Sequence, residues 1–199
     1  MIFETPLGKS KSPLVIIPYS NGQISRNYED KINSSDFSFG GDAKISIGNG
    51  MNLDLTFNPD FSQVEADQSK IDVNSTTALR FDEKRIFFNE GKDFLSSDLA
   101  TVYTRSINDP EYAIKLYNRG EKHSYYFLDA EDATTPIIVP GYQRSYSGLL
   151  GSSHANIFSY NYNIEKGQNI GFLATNRDYE EGGSSSLYLS LIHIDAADE

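Results

Sequence analysis

The sequence predicts an all-β fold, made of antiparallel hairpins that form part of a transmembrane-type β-barrel. Three observations predict it. Apolar and polar residues alternate with a period of two through most of the chain. Glycine-containing turns separate the alternating arms. The composition is rich in rings, 13 Tyr and 12 Phe in 199 residues, and rings pack well on a pleated surface. Helical periodicity is poor, and only Ser69–Leu79 has a spacing that suits a helical turn.

The elements follow in order. Leu14–Ser20, LVIIPYS, is a short apolar run broken by Pro18, and a loop is expected over Asn21–Asp36. Ala43, Ile45 and Ile47 then alternate with Asp42, Lys44 and Ser46. Leu53, Leu55 and Phe57 share one face of the next arm, and Asn52, Asp54, Thr56 and Asn58 share the other. Gly48, Asn49 and Gly50 join these two arms as a hairpin. A second hairpin, YAIKLYNRGEKHSYYFLDA, turns around Arg119, Gly120 and Glu121. After a loop over Glu131–Ser147, a third turns around Glu165, Lys166 and Gly167. In its first arm Phe158, Tyr160, Tyr162 and Ile164 face one way, and Ser159, Asn161 and Asn163 the other. The last loop spans Glu180–Ser186.

Such alternation has two physical explanations. In a soluble sandwich the apolar face points into a core. In an outer-membrane barrel it points outward to lipid, and the polar face lines the lumen. Arms of about 9–11 residues, tight turns at one end, longer loops at the other and abundant tyrosine favour the barrel.

Composition excludes several classes. The formal charge is −11, the wrong sign for a general nucleic-acid binder. No cysteine is present, which removes disulfides and thiolate metal sites. No apolar run reaches the roughly 18 residues that a transmembrane helix needs. No basic segment followed by a long apolar run opens the chain, so it either is cytosolic or lacks its true beginning. His123, His154 and His193 lack metal-ligand spacing, no nucleophile elbow surrounds any serine, and the glycine turns lack the lysine of a phosphate loop. No cofactor is implied. Tyr103, Tyr117, Tyr125, Tyr126, Tyr160 and Tyr162 suit either an interfacial girdle or cross-strand packing.

The densest chemistry lies between Phe57 and Phe94. Asp60, Glu65, Asp67, Asp72, Glu83, Glu90 and Asp93 could supply the acid and base of a glycosidase or hard ligands for Ca²⁺. The plainer reading is turn formation and ion pairing with Lys84 and Arg85, and the spacing of an EF-hand loop is absent. Phe87 and Phe88 would put one ring on each face of a strand, so EKRIFFNEG is expected beneath other structure, inside the barrel or at its periplasmic rim. Arg85 then needs a carboxylate partner, because a buried unpaired charge is very costly.

Residues 40–95 carry GGDAK, LDLTFNPDFSQVEAD, the pair Val73–Asn74 and EKRIFFNEGKDF in order, followed by VYTRSINDP at Val102–Pro110. This resembles the DUF5916 family of bacterial proteins. Ile86 stands where that family usually has proline after EKR. The resemblance implies a region that follows a carbohydrate-binding family 9-like sandwich and leads into a Gram-negative outer-membrane barrel. It carries no catalytic residues. It also implies that residues 1–39 lead in from a missing upstream domain and that residues 40–186 form the front of the barrel region. The end, 187–199, LYLSLIHIDAADE, resembles translated sequencing adapter and is read as a non-native tail.

The expectation is therefore a non-enzymatic fragment of a bacterial outer-membrane barrel. Its partners are membrane lipid and a saccharide-related ligand, not nucleic acid. Asp60, Glu65, Asp67, Glu83, Lys84, Arg85, Phe87, Phe88 and Glu90 form its structural motif. The alternatives are a soluble or surface carbohydrate-active β protein using a carboxylate pair and a purely structural envelope partner.

Overall fold

A computed structural model describes residues 13–27, 32–48, 50–59, 82–96, 102–139, 146–164, 168–180 and 182–192. Eight strands form one antiparallel sheet: β1 Leu14–Asn27, β2 Ile32–Gly48, β3 Met51–Phe57, β4 Pro110–Arg119, β5 His123–Asp132, β8 Ser153–Asn163, β9 Asn169–Tyr179 and β10 Gly182–Ile192. Their spatial order follows the chain, and β6 Thr135–Val139 pairs with β7 Tyr146–Leu150 as a separate hairpin between β5 and β8. The sheet is not closed, and β1 and β10 are its two edges. It is all-β and antiparallel, with, among the described residues, one short helix, α1 Ile86–Asn89, and 3₁₀ turns at Lys92–Leu95 and Thr104–Ser106. The Ser69–Leu79 helical turn lies outside the described residues.

The hairpins at Gly48–Gly50, Arg119–Glu121 and 165–167 join β2 to β3, β4 to β5 and β8 to β9. Three expected loops are instead largely strand. β1 runs through Pro18 to Asn27 and pairs with a β2 that starts at Ile32. An edge strand tolerates proline, since it has no outer ladder needing that N–H. Most of Asn21–Asp36 is therefore in the ladder, held by backbone pairing that side-chain polarity does not report. Glu131–Ser147 contributes the end of β5, β6 and the start of β7, and β10 begins inside Glu180–Ser186. β10 also carries residues 187–192 in register with β9.

Strand register sorts the side chains into two faces. Leu14, Ile45, Leu53, Leu116, Phe127, Phe158, Ala174 and Leu187 form one continuous row across all eight strands. Every member is apolar. The adjacent row, on the opposite face, is Val15, Lys44, Asp54, Lys115, Leu128, Ile157, Thr175 and Ser186. It mixes charge, hydroxyl and aliphatic groups. Residues 82–96 and 102–107 fold over this mixed face and bury Lys115, Leu128 and Ile157, whereas Phe158 in the apolar row stays 40% exposed. The core thus lies on the more polar side of the sheet.

Candidate functional site

The candidate site is the contact between residues 82–96 and 102–107 and the mixed face. Asp82–Arg85 arrive extended, and α1 makes one turn, with Asn89 N–H donating to Arg85 O at 2.9 Å. A strand had been expected here. Four helical residues instead send Phe88 into the sheet and leave Phe87 half-buried beside it, the rings edge to face at 5.1 Å. Gly91 ends the turn at φ 78, where a Cβ would press on the Tyr126 ring at 3.2 Å. The chain then drops Phe94 and Leu95 onto the sheet, Phe94 stacking on Tyr126 at 6.0 Å. Phe88, Phe94, Leu95 and Ile107 pack with Tyr117, Tyr126, Leu128, Ile157 and Leu173 in one cluster. Tyr126 Oη finds no partner among the described residues.

Charged clamps surround that cluster. Arg85 forks onto Glu83, Nε to Oε1 at 2.8 Å and a terminal nitrogen to Oε2 at 2.7 Å. The same guanidinium donates to Ile107 O at 2.6 Å and Thr104 O at 2.9 Å, and lies 4.1 Å from the Phe88 ring centroid. One side chain thereby ties both ends of the segment together. Burial alone would raise the Glu83 carboxyl, but Arg85's hydrogen bonds and charge, with the Thr104 hydroxyl, outweigh it and hold the group below its ordinary value.

Lys115 makes the second clamp from β4. Wholly buried, it meets Asp54 Oδ2 of β3 at 2.9 Å and donates to the carbonyls of Phe87 and Glu90 at the end of α1. The third is Arg177 of β9, which reaches Asp132 at 2.5 Å, Ser106 O at 2.9 Å and Ser153 Oγ at 3.0 Å. Asp132 accepts the backbone N–H groups of Asn108 and Asp109 as well, fixing where the segment enters β4. More exposed pairs, Lys44 to Glu90 at 2.5 Å and Arg119 to Asp93 at 2.6 Å, lie at its margin.

Of the residues singled out from sequence, Glu83, Arg85, Phe87, Phe88 and Glu90 therefore meet in this contact. Lys84 is exposed, and Asp60, Glu65 and Asp67 lie outside the described residues. Lys115, Asp54, Asp132 and Arg177 were missed. The first two stand at facing register positions on apolar-rich strands, a detectable signal once β3 and β4 are paired. Asp132 with Arg177 needs the β5-β8-β9 order and had none. His123 binds Tyr160 Oη at 2.8 Å, and His154 sits 2.7 Å from Asp129. Among the described residues no group of three or more His, Asp or Glu could hold a metal ion. No helix among them is long and apolar enough to cross a membrane, which says nothing about a β-barrel. Beside Arg177, a cleft of about 250 Å³ is lined by Tyr103, Thr135, Asn176 and Tyr179.

Among the described residues the arrangement offers no nucleophile with a base; what it can do is fasten a folded segment to the covered face of the sheet. Comparison with known proteins gives one family model, described as a domain of unknown function (DUF5916), matching residues 12–125, more than half of the 199-residue chain, and the chain belongs to that family. No curated protein and no solved structure matches it.

Proposed function

We propose that this member of the DUF5916 family forms part of the wall of a non-enzymatic bacterial outer-membrane β-barrel, with residues 82–107 folded into the lumen. One observation carries the reading. The apolar row from Leu14 to Leu187 crosses all eight strands on the face that none of the described residues covers, while the buried charges lie on the covered face. A soluble sandwich needs the reverse, its most apolar face in the core.

The slant of the apolar band adds support. On β2 it runs from Phe37 to Ile45 and centres on Gly41, whose row passes through Phe57, Tyr112, Glu131 and His154 to Asp178 on β9. On β9 the band is Ile170, Phe172 and Ala174, centred six residues before Asp178. Six residues at about 3.3 Å, over the five strand spacings of about 4.8 Å from β2 to β9, give about 20 Å against about 24 Å. A level band then requires strands tilted by about 40°, the inclination of membrane barrels.

The turns divide in the same sense. Short β2–β3, β4–β5 and β8–β9 turns share one end, as periplasmic turns do, and the long β3–β4 and β5–β8 connections share the other, with the shorter β1–β2 and β9–β10 turns. In hydrocarbon neither edge could stay unpaired, so β1 and β10 would each meet a further strand. The cleft beside Arg177 combines the Tyr103 and Tyr179 rings with hydroxyl groups and a guanidinium, and supports a saccharide-related solute as ligand. The carboxylate-pair alternative gains nothing from Glu83 and Glu90, because each is already neutralised, by Arg85 and Lys44.

Fractionation with heat-modifiable gel migration tests the proposal. The protein is expected in the detergent-resistant outer-membrane pellet, migrating faster unheated than boiled. A monodisperse monomer in detergent-free buffer would refute it.

A further inference from the structure

The cleft beside Arg177 opens on the covered face of the sheet. Thr175, Arg177 and Tyr179 alternate along β9 on the same face as buried Leu173, and Ser184 stands opposite Arg177 on β10. Tyr103 and Ser106 line the cleft from the inner segment, and Thr135 from the start of β6. Among the residues that line it Arg177 alone is charged, and that charge is already engaged. Its Nε donates to Ser153 Oγ, one terminal nitrogen to Ser106 O and Oγ, and the other to Asp132 Oδ2 and Thr135 Oγ1. Five acceptors thus meet the five N–H groups of the guanidinium. Burial raises the Asp132 carboxyl, but Arg177 and the N–H groups of Asn108 and Asp109 oppose that and keep it ionised at neutral pH. An anion entering the cleft would either stand near this carboxylate or take its partner and strand it.

The remaining polar lining is hydroxyl. Beyond Ser184 the same face of β10 continues with Ser186, Tyr188 and Ser190, and the strand holds no charged residue. Ser186 and Thr175 already share a hydrogen bond at 2.7 Å. Hydroxyl groups donate and accept alike, and a tyrosine ring offers an apolar face to the C–H side of a sugar. The volume of about 250 Å³ lies below the roughly 300–1,000 Å³ of sites for drug-sized ligands, which suits a single ring. Resting on the barrel and saccharide reading above, we propose that this cleft binds one uncharged sugar ring and discriminates against sugar acids. The C–H face of the sugar lies on Tyr179, and its hydroxyls meet Thr175 and Ser184. Asp132 is a positioning residue that sets the preference by holding the charge and donors of Arg177.

Saturation-transfer NMR of the detergent-solubilised protein with methyl glucoside and methyl glucuronide tests this. The glucoside is expected to bind and the glucuronide to bind at least about tenfold more weakly, since like charges in one site cost that much or more. Asp132→Asn releases Arg177 and should reverse the order, a change that a purely structural role for Asp132 would not produce. Tyr179→Leu should abolish the glucoside signal while leaving heat-modifiable migration intact. Should that variant not assemble, Ser184→Phe, at an exposed position, fills the cleft and should abolish the signal too. Equal affinity for the two sugars would overturn the discrimination, and an unchanged order in Asp132→Asn would overturn the role of that residue. A protein absent from the outer-membrane fraction refutes the barrel instead, whereas one that is present there and binds neither sugar refutes this cleft alone.

Discussion

Replacing Arg85 by alanine should unfasten the inner segment while leaving the strands paired. The Arg85 and Glu83 side chains are 4% and 7% exposed, so neither charge is well hydrated. Alanine leaves the Glu83 carboxylate with the Thr104 hydroxyl at 2.7 Å and the backbone N–H of residue 85 at 3.1 Å, and takes a donor from each of the Thr104 and Ile107 carbonyls. Removing one partner of a buried pair costs about 3–5 kcal/mol, most of it the stranded charge. The loss falls on residues 82–107, because the strands keep their own ladders. Amides that report it are Asn89, Glu90, Phe94 and Ser96, each bonded within the segment. If they exchange by local opening, about 4 kcal/mol becomes roughly a thousandfold acceleration. Arg85→Lys keeps the charge but not the fork, and should lose about 1–2 kcal/mol. Hydrogen exchange of the folded protein measures both. Rates in Arg85→Ala within about threefold of the parent would refute the clamp.

Lys115→Met should destabilise by about 3–5 kcal/mol because Asp54 remains buried, and adding Asp54→Leu should restore most of it; thermal unfolding in detergent reads both. Acid should loosen the segment. Glu83 is held below its ordinary 4.5, so its contribution is complete above that value and disappears as pH falls through the lower folded one. Asp93, lowered chiefly by the Arg119 hydrogen bond, acts in the same direction, more weakly because it is exposed. Protection of these amides, corrected for intrinsic exchange, should therefore be flat from about pH 5 to 8 and fall below about pH 4. Gly50→Ala should cost about 1–2 kcal/mol, because φ is +82 and its Cβ would stand 2.8 Å from Arg119 O; an unchanged melting temperature would contradict this.

The parts of the fold legible in sequence are those where side chains declare their face. Leu53, Leu55 and Phe57 alternate without interruption, and β3 has those residues on one face. The arms of β8 and β9 and their turn were legible for the same reason. Extensions of β1, β2 and β10 were not, because their stretches rich in Ser, Gly and Asn show no apolar alternation in sequence, while the backbone ladder continues through them. Phe87–Phe88 pointed to a segment packed against other structure, with Phe88 buried, but not to its conformation or to its open side, where Lys84, Ile86 and Asn89 are exposed. A single helical turn is too short to show a period, so only the need to bury one ring and pair Arg85 could be read. Ion pairs within the segment are near in sequence and were foreseeable, Glu83 with Arg85 above all. Those that bind the segment to the sheet depend on strand order, and no local pattern encodes it.

The central claim is the direction in which the uncovered rings look, and lipid contact measures it. The chain has no cysteine, so single nitroxide labels at Phe158→Cys and Ser159→Cys report neighbouring positions on opposite faces. With the protein in bilayers, the 158 label should collide freely with dissolved oxygen and be shielded from a water-soluble relaxant, and the 159 label, beneath Phe94, should be shielded from both. Labels equally open to the aqueous relaxant, or a 158 label buried in a protein that needs neither bilayer nor detergent, would contradict the account.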